Sequence, residues 1–176
     1  MNENMGSAKA LFNRYLGSKS AMYRGGDYEV YKSCGISDET EQEWFKELID
    51  RTIAELSIRD WGAITSLVMI SSVYKDSLSV EKAAAFAARN IKSADSMVRL
   101  IFGEQLVELI RVNKVVLTRD SLFEASRTAL QTLENVIAEQ LILDPGHELA
   151  QFQVKDKRAL NQRAGKSIEA LKELIN

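Results

Sequence analysis

Only one proline, Pro145, stands in this chain of 176 residues. Average usage would supply roughly nine, so the chain is almost free of the residue that fixes φ and removes a backbone donor. Turn-rich β-sandwiches and proline-rich linkers are disfavoured, and long helices are allowed. The hydrophobic periodicity points the same way. Trp44, Phe45, Leu48, Ile49, Ile53 and Leu56 recur at spacings of one, three and four, behind a Ser37-Asp38 pair and Glu41 in a capping-box pattern. Leu122, Ala129, Leu130, Leu133, Val136, Ile137 and Leu141 form a second stripe, capped by Thr118 or Asp120 and stopped at Asp144-Pro145-Gly146.

Further helices are expected from a Ser79 cap through Ile91, and from Met97 to Ile110 with Gly103 marking a kink or junction. A last helix carries Leu160, Ala164, Ile168, Leu171, Leu174 and Ile175, with a polar upstream part, Gln151 to Arg163, expected to project or pack only in part. Trp61 to Tyr74 carries no charge on any side and reads as the buried central helix. Val115-Val116-Leu117 is β-branched but has no second strand nearby, so it reads as a loop or helix end.

Five of the nine glycines, Gly6, Gly17, Gly25, Gly26 and Gly35, fall in the first 35 residues. They punctuate that segment into short helices, one from a Ser7 cap to Leu16 and one from an Asp27 cap to Cys34. The expected fold is therefore all-α. A Gly-rich, aromatic N-terminal arm over 1–36 packs on a bundle over 37–176, in one domain of about five to seven helices.

Composition bounds the function. Hydrophobic residues are 45% and charged residues 27%, as in a soluble globular chain, and the net charge of −2 provides no global basic field. No uncharged stretch is long enough for a bilayer, and no membrane partner is expected. One thiol, Cys34, and an N-terminus without signal-peptide features point to the cytoplasm. That thiol sits at a helix C-terminus, where the dipole disfavours a thiolate.

A single histidine, His147, removes the base from Ser-His-Asp, Cys-His and paired-His mechanisms. His147-Glu148 opens like a zinc-protease helix motif, but Gln151 stands where the second imidazole is required. His147 is read as a solvated or capping residue after Pro-Gly. Gly165-Lys166-Ser167 resembles the tail of a phosphate-binding loop, yet Leu160 replaces the leading glycine and no strand precedes it. Two Ser-x-x-Lys matches, at Ser72 and Ser79, lack the companion motifs of acylating serine enzymes. No catalytic residue, metal or cofactor is assigned.

What remains is the arm. Phe12, Tyr15, Tyr23, Tyr28 and Tyr31 interleave with Lys9, Arg14, Lys19, Arg24 and Lys32. Tyrosine and arginine offer large contact areas with polar tips, which suits docking of a protein partner. The partner-binding set is Phe12, Arg14, Tyr15, Lys19, Tyr23, Arg24, Tyr28 and Tyr31; in the competing reading the arm wraps the bundle and its rings fill the core. The function expected is a non-catalytic cytoplasmic interaction or regulatory protein that binds a protein partner or self-associates, with an inhibitor or toxin-neutralising binder as a subtype. Two alternatives stand beside it. One is nucleic-acid binding through the arm or through Lys155, Lys157, Arg158, Arg163 and Lys166. The other is a carboxylate-magnesium hydrolase using Glu43 with Glu47 or Glu104 with Glu108.

Overall fold

A computed structural model describes residues 2–176, and among them the chain forms nine α-helices and no strand. The helices are α1 (Asn2–Arg14), α2 (Lys19–Gly25), α3 (Tyr28–Ser33), α4 (Asp38–Ala54), α5 (Gly62–Ser71), α6 (Ser77–Asn90), α7 (Ser96–Asn113), α8 (Arg119–Ala138) and α9 (Lys157–Ile175). Short 3-10 turns follow α6 and α7 and precede α9. The count exceeds five to seven because the first 36 residues fold into three helices of their own.

Local chemistry sets most boundaries. Ser18, Ser37, Asp95, Thr118 and Asp156 each accept a backbone N–H of the first turn they cap, as N-cap side chains do. Asp76 caps α6 through the N–H groups of Leu78 and Ser79, while Ser79, the expected cap, is buried one turn inside. Asp27 makes no cap bond and instead accepts the Tyr15 hydroxyl at 2.5 Å.

The centre is α7 rather than α5. Thirteen of the eighteen residues of α7 are buried, and it packs against α5, α6, α8 and α9. Three of its four charges, Glu104, Glu108 and Arg111, follow at spacings of four and three and share one outer stripe. The fourth, Arg99, is buried near the start of the helix, where it meets the Ala94 carbonyl and Glu139. The uncharged run at Trp61 yields only the ten-residue α5, which buries Ile64, Leu67 and Ile70 but leaves Met69 exposed. Absence of charge therefore did not mean burial on all sides.

Gly103 is no kink. It lies inside one continuous α7, and a Cβ placed there would stand 2.7 Å from Leu133 Cδ2. The missing side chain lets α7 and α8 approach closely. The last helix also packs from its start: Leu160, Ala164 and Leu171 are buried against α7 and α8, each leucine contributing about 1.5–3 kcal/mol. Its polar beginning is tethered, because Arg163 meets both oxygens of Glu104 at 2.8 Å.

The arm belongs to the same continuous core. Phe12 is 1% exposed and packs edge-on against Trp44 and Phe45, with centroid distances of 5.4 and 4.7 Å. Gly17 closes α1 at φ +75°, and a Cβ there would lie 2.2 Å from the Phe45 ring. Met22 and Tyr31 are buried below it. No helix among the described residues is long and apolar enough to cross a membrane.

Candidate functional site

The eight arm residues separate into two groups. Phe12 and Tyr31 are core residues and present no surface. The Tyr31 hydroxyl donates to Glu41 Oε1 at 2.7 Å; burial first, and that bond second, push its pKa well above the ordinary phenol value. Tyr15 is half-buried, and its bond to Asp27 raises its pKa in the same direction. Tyr23 is the outward ring, 73% exposed, with Tyr28 edge-on to it at 6.5 Å. Among the cations, Arg14 lies over the Tyr15 ring and 3.7 Å from Asp27, and Lys19 meets Glu41 at 3.1 Å. Arg24 is exposed and has no ion partner among the described residues.

Tyr15 and Arg24 share a groove of about 320 Å³ with residues the sequence did not single out. Leu16 and Ala21 continue the arm wall, Val68 and Met69 of α5 form the apolar floor and rim, and Glu108 and Arg111 of α7 close one side. Glu108 and Arg111 neutralise one another, and the guanidinium holds the Glu108 carboxyl below its usual range. Arg24 is thus the uncompensated charge of the groove, and Met69, 56% exposed, is its prominent apolar group. Met69 was missed because its run carries no charge on any side, and the signal that marks its face is only the hydroxyls of Thr65, Ser66 and Ser72, three and four residues from it.

Half of the ten cations that a nucleic-acid surface would use are engaged within the chain, while Arg24, Lys32, Lys155, Arg158 and Lys166 have no ion partner among the described residues. Lys9 pairs with Glu47, Arg14 with Asp27, Lys19 with Glu41 and Arg163 with Glu104. Lys157 is turned inward: its amine donates to the Val136 and Ile137 carbonyls and to Asn161, capping the C-terminus of α8. Burial, and secondarily the charge of Arg99, lower its pKa, which Glu139 partly offsets. Three of the four carboxylates suggested for magnesium are engaged as well, Glu47, Glu104 and Glu108 each facing one of these cations or Arg111, while Glu43 is exposed with no ion partner among the described residues.

His147 is neither a free surface residue nor a cap. It joins Asp95 and Asp144 in a cluster whose ligand-type atoms lie within 4.8 Å of one another. Asp95 is fully committed in that cluster: Oδ1 accepts Val98 N–H at 2.8 Å, while Oδ2 accepts Asp144 N–H at 2.8 Å and His147 Nδ1 at 2.7 Å. The carboxylate is acceptor-only, which makes Nδ1 the donor. Ser96 adds two bonds to Ile142, and Trp61 packs on the imidazole at 5.5 Å. Asp95 is satisfied within the chain, while the Asp144 carboxylate has no hydrogen-bond or ion partner among the described residues. Through Asp95 the cluster acts as a clasp holding the α8–α9 connection to the start of α7. No spacing in the sequence announces it, since its partners are about fifty residues apart.

A second exposed apolar group lies at the other end of the α8 and α9 pair. Phe123 and Ile175 flank a recess of about 310 Å³ that Arg119, Asp120, Leu122 and Ser126 complete. No protein-family model, no curated protein and no solved structure matches this chain, so its surfaces are interpreted from their own chemistry.

Proposed function

We propose that the protein is a non-catalytic helical interaction protein, working in the cytoplasm, that docks a protein partner in the groove between the arm and α5. The observation that carries this reading is the exposure of Met69 at the rim of a concave surface whose one uncompensated charge is Arg24. Methionine, tyrosine and arginine are enriched at protein interfaces because they combine contact area with adaptable or polar ends. The partner segment that fits presents an apolar side chain to Val68 and Met69 and a carboxylate to Arg24. Tyr23 and Tyr28 extend the same arm outward and enlarge the contact.

Pairing of three of the five arm cations, Lys9, Arg14 and Lys19, with carboxylates of the same chain favours this reading over phosphate binding, which draws its affinity from cations free to replace counterions. The test is a photo-crosslinking side chain at Met69, with the same group at exposed Glu134 as control, in cells expressing the chain. A discrete crosslinked protein is expected at Met69 alone, and Arg24→Glu removes it. No product at Met69, or a product indifferent to Arg24→Glu, would refute the assignment.

A further inference from the structure

Polar side chains buried on the helices of this protein commonly bond back to the carbonyl four residues earlier: Thr52 to Leu48, Asn113 to Leu109 and Thr132 to Thr128. Ser126 of α8 does not. It is 5% exposed, and its Oγ is buried without a hydrogen-bond partner among the described residues. A hydroxyl in that state has given up its bonds to water and gained none in return. Ser126 also lines the recess of about 310 Å³ between the start of α8 and the end of α9. Helical side chains lean toward the N-terminus of their helix, so Ser126 leans over the turn that carries Leu122 and Phe123, which line the same recess.

We infer that this recess binds a small neutral phenol, whose ring lies against Phe123 and whose hydroxyl pairs with that of Ser126. The walls select a ring. Leu122, Phe123 and Ile175 are apolar, and Phe123, 64% exposed, offers an aromatic face for stacked or edge-on contact. A dry cavity of about 150 Å³ already accepts benzene, so one ring with a hydroxyl is accommodated here. Arg119 and Asp120 border the recess with opposite signs, so no net charge draws an ion into it. The remaining demand is the unpaired oxygen of Ser126, which a hydroxyl meets as donor or as acceptor. This site lies on α8 and α9, whereas the partner groove lies on the arm, α5 and α7, so it goes beyond the docking function proposed above.

Nuclear magnetic resonance titration of the isotope-labelled full chain tests this with two probes: p-cresol, uncharged at neutral pH, and toluene, the same ring and methyl without the hydroxyl. The p-cresol is expected to shift the amides of Leu122, Phe123, Ser126 and Ile175 saturably and to bind about tenfold more tightly than toluene, the worth of one net hydrogen bond. Ser126→Ala brings the two probes to equal affinity. Without a probe it melts no lower than the wild type, because the hydroxyl removed has no bond to lose and alanine is the better helix former. Phe123→Ala weakens both probes. No shift at these residues, toluene bound as tightly as p-cresol, a preference that survives Ser126→Ala, or a Ser126→Ala variant that melts several degrees lower would overturn the inference.

Discussion

Gly103 offers a sharp test of the packing at the centre of this protein. An alanine there places its methyl 2.7 Å from Leu133 Cδ2 and 2.9 Å from Leu133 Cγ, about an ångström inside normal contact, and Leu133 is fully buried and has little room to retreat. Overpacking of this kind costs about 1–3 kcal/mol, and the gain in helix propensity over glycine returns about 1 kcal/mol. Gly103→Ala should therefore destabilise by up to about 2 kcal/mol. A chain of this length loses about 2–4 °C in Tm per kcal/mol. In a Leu133→Ala background, itself costing about 2–5 kcal/mol, the obstruction is gone and only the propensity remains. The same substitution then stabilises, so its sign reverses. Urea unfolding of the four proteins reads the cycle directly. Equal effects of Gly103→Ala in both backgrounds, to within about 0.5 kcal/mol, would refute close packing of α7 on α8 at this glycine.

Two further predictions concern the polar groups that fasten the helices. Asp95→Ala removes the α7 cap and strands the Asp144 N–H and the His147 ring, which should cost about 3 kcal/mol in urea unfolding and speed amide exchange over residues 142–147; a loss under about 0.5 kcal/mol would leave the clasp without a structural role. Tyr31 has its pKa raised in the fold, so its contribution is complete below pH 10, the unfolded phenol value, and fades as pH climbs towards the folded value. Tyr31→Phe should be about 1 kcal/mol less stable at pH 8, and the difference should shrink above pH 10. An undiminished difference at pH 11 would contradict the bond to Glu41.

Residues whose role is set by nearest neighbours in the chain were the legible ones. Ser37 and Thr118 cap as their positions imply, and the Leu122-to-Val136 stripe buries Ala129, Leu133 and Val136 as its period demands. Ser79 was misread because the helix begins earlier, where Asp76, three residues before it, accepts the Leu78 and Ser79 amides. In the arm the difficulty was of another kind. Gly17, Gly26 and Gly35 do end helices, but a ring that fills the core and one that faces a partner look alike until Phe12 is seen between Trp44 and Phe45, which lie thirty residues away. His147 met the same limit, since its partner Asp95 lies far off in sequence and forms a cap that resembles any other. The groove depends on three segments, and only the tyrosines and arginines of one of them were recognisable by type.

Everything assigned to the groove depends on the arm being part of the core, with Phe12 and Met22 inside and Tyr15 and Arg24 at its surface. Amide hydrogen exchange of the purified chain measures this most directly. The Gly17 N–H, bonded to Phe12 O at 2.9 Å, and the Asp27 N–H, bonded to Met22 O at 2.9 Å, are expected to exchange nearly as slowly as the amides of α7, opening only with the whole molecule. Exchange at those two amides orders of magnitude faster than in α7 would detach the arm from the bundle and remove the wall on which the proposed binding site stands.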